Sequence, residues 1–565
     1  MTPFAALTRH FIENAAGRAW LDDEGVAGLR GVFFFAVAGL GTLGLFLPRR
    51  FSRQYWVLDG VATPEPYQQA LFADSLFMLA LPAIVAGWMA ILLAPAMFPD
   101  ETDYVALGSL PLTRRQLFGA KLLALVLIVA AVIGTMILVF GVAFPSFSHS
   151  RWADASRPAR ILAHLAAGTA SAAFAVLAVM ALHGVMLLAV PRHWLASLTA
   201  AVQSALMAGL VLTLPLVFRA LTARAWLATD PPVLLAAPPA WFLGLQQVLL
   251  GGRDPFEVRL ASIGGVAFVV AAATAAACYL LLYRRVESLL APADRARTAR
   301  RRREARASRP APWRAVWAFT FATLARSRQS QMLFLIVWAA GAAIAVNVVL
   351  GSDPGSWLAS GRRSPSAVAA AVIAPLPLVV LGILGARAAF LLPVSPHANW
   401  IFRMLDLPDR RAGHLRAVER ALFALGVLPA LALCAPLEIA ALGLDHGARV
   451  LVLAAGVGLI VIEMVLASWR RIPFTCSWIP GKRPLPLMLV ATIGAVQAVT
   501  LATGLIYLAL RSAAAFLIVA GLLFVPALGL RIRRRARWAS QPLQFEDDRP
   551  DRLQTLGLTS SGSPR

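Results

Sequence analysis

Uninterrupted apolar runs, each about as long as a lipid bilayer is thick, constrain this chain more than any motif in it. A membrane-spanning helix needs about 20 mostly apolar residues. Twelve stretches qualify: 31–47, 75–98, 122–144, 161–190, 195–218, 260–283, 331–350, 366–392, 421–443, 450–468, 487–510 and 513–530. The first is short, and the last two are separated only by Arg511 and Ser512, which predicts a tight hairpin. The runs are continuous rather than alternating, which disfavours a strand-built barrel. The expected fold is all-α: a polytopic membrane protein of twelve transmembrane helices in two six-helix halves. Composition agrees. Of 565 residues, 59% are apolar and 14% charged, against roughly 45–50% and 25% in soluble domains. A large water-soluble catalytic core is not expected. Cys278, Cys434 and Cys476 offer no disulfide scaffold and no C-x-x-C metal site. The first 30 residues carry Glu13, Asp22, Asp23 and Glu24 without an apolar core, so they are not expected to be a cleaved signal peptide.

The net charge of +24 reads as topology rather than as a nucleic-acid footprint. With the N-terminus inside, the inner segments hold 37 of the 52 basic residues, the outer ones 14, and the membrane one, Arg387. Lysine and arginine favour the cytoplasmic side. The linker 284–330 alone has 13 arginines, and the tail opens with Arg531, Arg533, Arg534, Arg535 and Arg537. Both termini are therefore expected in the cytoplasm, with the chain a multi-pass protein of a bacterial-type inner membrane.

The basic linker divides the chain. The expected organisation is a first six-helix half over 1–283, the linker with an amphipathic helix over 284–330, a second six-helix half over 331–530 and a basic then polar cytoplasmic tail over 531–565. Spans recur at an offset of about 297 residues, and an even number per half makes the halves parallel repeats. Each half opens with an amphipathic stretch. Phe4, Leu7 and Phe11 form the first stripe; Trp313, Val316, Trp317, Phe321 and Leu324 form the second. Such helices lie in the membrane interface or pack on the protein's own cytoplasmic loops. Only the first half has a long outer loop, 219–259. Within it Pro238-Pro239-Ala240-Trp241-Phe242 through Gly251-Gly252 predicts a short re-entrant or interfacial helix carrying Trp241 and Phe242.

Motifs for chemistry are scarce. The two lysines, Lys121 and Lys482, complete no P-loop, and H-E-x-x-H, G-x-S-x-G and S-x-x-K are lacking. No enzyme activity, resident cofactor or metal is expected of the chain, and His164 and His183 are expected to be structural. Asp100, Glu101 and Asp103 are the nearest thing to a cation site, and more simply an acidic loop beside Arg114 and Arg115. Intramembrane charges are functional candidates. Arg387 and Glu463 fall at matching depth, which predicts a pair, and Glu438 stands alone near the outer end of its span.

The connection between the second and third spans carries most information. Thr113 with Gln116 three residues on is a capping box, and Pro111 breaks the preceding segment. The result is a rigid elbow holding Arg114 and Arg115, with Lys121 further along the same helix. The run Leu110-Pro111-Leu112-Thr113-Arg114-Arg115-Gln116-Leu117-Phe118-Gly119-Ala120-Lys121-Leu122-Leu123 resembles the cytoplasmic coupling loop of type-2 ABC exporter permeases. Leu407-Pro408-Asp409-Arg410-Arg411 is its degenerate counterpart in the second half. The resemblance implies six spans per half, a leading amphipathic helix, and ATP supplied through separate cytoplasmic ATPase subunits, two of them, with membrane lipids as the other partner and no nucleic acid. The apolar spans admit lipids, peptides or hydrophobic drugs as cargo. A secondary transporter would need ionisable groups or broken helices at the midplane. A membrane-embedded enzyme acting on a lipid-linked substrate would need a carboxylate cluster at one face.

Overall fold

A computed structural model describes residues 3–18, 51–97, 113–222, 224–227, 229, 231–290, 312–352, 364–392, 399–404, 408–467, 469–475, 500–540 and 543. Among these residues the regular structure is entirely helical. Ten helices are long and apolar enough to cross a membrane, and they coincide with ten of the expected spans. The run 31–47 lies outside the described residues, as does most of 487–510, of which Thr500–Ala509 is helical. Asp100, Glu101, Asp103, Cys476, Lys482 and the linker positions 291–311 also lie outside them. The chain forms two compact units, Met1–Arg303 and Glu304–Arg565, divided inside the basic linker.

The first unit contains α1 (Pro3–Arg18), α2 (Glu65–Met97), α3 (Arg114–Phe147), α4 (Arg157–Ala189), α5 (Arg192–Ala220), α6 (Pro238–Leu249) and α7 (Pro255–Leu290). Its centre is α2, whose spanning window is 72% buried. The cause is a stripe of small residues at helical spacing. Ala70, Ala73, Ala80, Ala86, Ala90 and Ala94 are all buried. Small side chains let helices approach closely in a membrane, where packing rather than water expulsion drives association. Here α3, α4 and α5 pack around α2.

The short α6 is the helix expected between the proline pair and Gly251-Gly252. Two prolines open it, and Gly251 at φ +92° ends it. It packs against α4 and α7. At Gly244 the approach to α7 leaves no room for a side chain. A Cβ there would sit 2.5 Å from the Glu257 carbonyl oxygen and 2.8 Å from the Ala261 nitrogen. Backbone atoms cannot swing aside. Gly244→Ala is therefore expected to prise α6 from α7, at a cost of about 1–3 kcal/mol. Faster hydrogen exchange over 238–250, with the rest of the unit unchanged, would show it; unchanged protection there would refute it.

The second unit contains α8 (Pro312–Arg326), α9 (Arg328–Gly351), α10 (Pro365–Ile373), α11 (Pro375–Phe390), α12 (Pro408–Leu422), α13 (Leu428–Leu442), α14 (Leu444–Leu466) and α15 (Ala513–Ser540). The helix pair α10–α11 is its counterpart of α2, with 67% of the window buried. Pro375 and Pro377 interrupt it at Ala374. Ala367, Val372 and Leu376 of this pair meet Leu453 and Val457 of α14, and Val519 and Leu523 of α15, in one apolar core. A π turn, Phe423–Val427, joins α12 to α13. Ser512 caps α15 through the Ala515 amide at 3.1 Å, closing the expected hairpin after Thr500–Ala509. The expected tail from 531 begins as helix instead, because α15 runs on to Ser540.

Candidate functional site

The capping box predicted at the elbow is formed. The Thr113 hydroxyl oxygen accepts from the Gln116 amide at 3.3 Å, and the Gln116 side-chain oxygen accepts from the Thr113 amide at 2.9 Å. Two of the unpaired amides at the helix start are thereby satisfied. From this cap α3 runs 34 residues, about 51 Å. That exceeds the ~30 Å hydrocarbon layer, so turns of α3 stand clear of it. Arg114 and Arg115 occupy the first turn, with Arg115 exposed. Lys121 does not join them at the surface. It is 5% exposed, and its ammonium lies 5.4 Å from the centre of the Phe11 ring. About two turns along a helix separate Lys121 from the tip, and it faces α1.

Helix α1 covers that flank. Leu7 and Phe11 bury against Leu117, Ala120 and Ala124. The stripe expected to enter the lipid interface is thus taken up by the protein's own α3. Phe118 of the same segment stacks edge-on with Tyr279 and Tyr283 of α7, and the Tyr279 hydroxyl donates to the Phe118 carbonyl at 2.8 Å. The second unit repeats the arrangement. Val316, Thr320 and Leu324 of α8 are buried, α8 packs on α12, and Arg420 of α12 lies 4.4 Å over the Trp313 ring. Asp409, Arg410 and Arg411 fall in the first turn of α12, with Arg411 half-buried.

The opposite end of the first unit is tied by polar contacts that the sequence did not reveal. Asp74 of α2 is fully buried and accepts from Gln54 at 2.8 Å and from Tyr55 at 2.9 Å, with Arg224 at 3.4 Å. Burial, then the Asp74 charge, pushes the Tyr55 phenol well above its usual range, so it remains a donor. Asp59 accepts from the Ser150 hydroxyl at 2.6 Å and the Arg151 amide at 2.8 Å. Those two bonds hold its carboxyl below the usual range. Tyr67 and Arg160 both donate to the Ser148 carbonyl. His164 meets Gln246 at 2.9 Å, and Trp241 donates to Leu235 at 2.8 Å while Trp241 and Phe242 face Phe174. Three connections that alternate-side topology puts on one face are therefore bonded together. Asp74→Asn is expected to cost about 1.5–3 kcal/mol, the value of hydrogen bonds to a charged acceptor. Thermal unfolding in detergent would measure it, and a loss under 0.5 kcal/mol would refute this account of the cap.

In the second unit the expected Arg387–Glu463 pair gives way to a different one. Arg534 of α15 engages both Glu463 oxygens, one of them at 2.7 Å, and donates to Glu419 of α12 at 3.0 Å. Arg531 pairs with the other Glu419 oxygen. Arg534, Glu463 and Glu419 are 3%, 4% and 6% exposed. The guanidinium also lies 4.0 Å over the Trp538 ring, and Trp538 donates to the Trp469 carbonyl at 3.0 Å. Matching depth read from span boundaries does not choose a partner; Arg534 is reached because α15 packs directly on α14, which carries Glu463. Glu438 is fully buried on α13, and among the described residues neither of its oxygens has a hydrogen-bond partner. Among the described residues no group of three histidine, cysteine or acidic side chains could hold a metal ion.

These features define an all-helical, multi-pass membrane protein. No protein-family model, no curated protein and no solved structure matches the chain.

Proposed function

We propose that this chain is the permease subunit of an ABC-type exporter: two six-span halves in one chain, both termini in the cytoplasm of a bacterial-type inner membrane, driven by two separate ATPase subunits. The observation that carries the reading is the base of the third span. In each unit a leading helix is packed against that base, α1 on α3 and α8 on α12. Force applied at the capped elbow of α3 is thus delivered to a braced lever rather than lost in a loop. The pattern of neighbours supports the repeat. Second span meets third and fourth, third meets fourth, and fourth meets sixth, in both units. The full sequence contains no P-loop, so on this reading ATP is hydrolysed by a partner.

Proton-coupled transport draws on carboxylates that can exchange a proton within the membrane. Four acids are buried among the described residues, Asp74, Glu419, Glu438 and Glu463. Arginines hold three of them. That alternative rests on Glu438 alone.

The test is mild extraction of the tagged full chain from its native membrane, with the co-purifying proteins identified. The expected result is a P-loop ATPase at two copies per chain, with vanadate-sensitive hydrolysis. Repeated isolation of the chain without any nucleotide-binding subunit would overturn the reading.

A further inference from the structure

The outward face of α15 is apolar along its length and then abruptly basic. Leu517, Val525, Leu528 and Ile532 are 56–69% exposed. At 100° per residue, Arg531 and Arg535 continue that same face. The apolar part, 513–530, is 18 residues or about 27 Å, close to the ~30 Å of bilayer hydrocarbon. The two arginines therefore fall at headgroup level. Arg416 of α12 stands beside them: Arg535 is within electrostatic reach of Arg416, Arg531, Arg534 and Glu419. Four guanidiniums gather here against two carboxylates, Glu419 and Glu463. Both carboxylates are already engaged by Arg531 and Arg534. Arg416 is exposed and Arg535 half-exposed, and neither forms an ion pair among the described residues.

We propose that this end of α15 is a binding site for an anionic phospholipid of the surrounding bilayer, with its phosphate between Arg416 and Arg535 and an acyl chain along Ile532, Leu528 and Val525. Two guanidiniums in surplus match one phosphate. The exposed stripe supplies the surface that a free phosphate ion would not use. Basic clusters between helices at the membrane boundary attract anionic headgroups. The buried lock of Glu419, Glu463 and Arg534 holds α12 and α15 together, so the two arginines are presented from helices that do not slide apart. The inference needs only that α15 crosses a bilayer, and it holds whether or not the chain partners an ATPase.

The experiment uses the full chain in nanodiscs of equal phosphatidylglycerol and phosphatidylcholine, with a photo-crosslinking residue in place of Ile532. Crosslinked lipid is identified by mass spectrometry. Enrichment of phosphatidylglycerol over its bilayer share is expected. Arg416→Gln with Arg535→Gln should lower the ratio of crosslinked phosphatidylglycerol to phosphatidylcholine about 25-fold, at about fivefold per arginine. Arg533→Gln removes one such charge from the other flank of α15 and should leave the ratio unchanged. Glycerol phosphate in solution should not compete. Capture in proportion to bilayer content by the protein with all its arginines overturns the site, and it does so without relying on any variant that might misfold. A loss of about fivefold with Arg533→Gln, the share of one charge wherever it sits, reduces the effect to net charge and overturns it too. Competition by glycerol phosphate would make it a soluble-anion site and overturn the lipid assignment.

Discussion

Replacing Arg534 with leucine is expected to destabilise the second unit by about 3–5 kcal/mol, the cost of stranding a buried charge. Glu463 would lose both of its contacts, while Glu419 would keep Arg531. Adding Glu463→Gln should restore most of the loss, because a neutral amide in that place no longer needs a counter-charge. Arg534→Lys should fall between, since one ammonium cannot reproduce a fork that reaches two carboxylates. Unfolding in detergent micelles, followed for the single and double variants, gives the coupling directly. If the double variant is merely the sum of its parts, the pair does not stabilise the unit in the way its geometry implies.

Reversing two charges at the elbow should abolish association with the proposed ATPase while sparing the fold. Arg114 and Arg115 lie in the first turn of α3. Acidic residues there favour the positive end of the helix dipole, so Arg114→Glu with Arg115→Glu should not weaken the helix. Each charge-assisted contact is worth about 1.5–3 kcal/mol. Losing two of them weakens binding by roughly a hundredfold or more. Pull-down of the ATPase at matched membrane levels is the measurement. Undiminished binding by the reversed variant would exclude the elbow as the contact and leave the permease reading standing. Absence of an ATPase with the unaltered chain would remove the reading itself.

What could be read beforehand was whatever lies within a few residues along the chain. Continuous apolar runs announced ten helices because burial in lipid leaves no polar alternation to interpret. The Thr113–Gln116 box was legible because both partners sit on one turn, and the helix ended by Gly251 because proline and glycine act locally. Contacts between distant segments were not. Asp74 stood one residue outside the run drawn from 75, and its partner Arg224 is 150 residues away. Arg534 reads as tail because five arginines follow the last apolar run, yet the helix continues and turns one of them inward. The tell-tale was available: Val519, Leu523, Ala527 and Arg534 keep helical spacing on the buried side. The tip residues Arg114 and Arg115 were separable from Lys121 only once α1 was seen to cover the latter.

The π turn at Phe423–Val427 gives the second unit a property not found among the described residues of the first. Gly382 and Gly426 touch backbone to backbone there; a Cβ on Gly382 would lie 3.0 Å from the Gly426 Cα. A π turn holds one residue more than the helix around it. Should that extra residue migrate past Gly426, everything beyond it would rotate by about 100°, with no loop lengthened and no net backbone bond lost. Helix α3, braced by α1 as α12 is by α8, is a single α-helix from cap to end and can pass on only the motion of a rod. Its counterpart contains a swivel, so equal pushes on the two bases would yield translation on one side and torsion on the other.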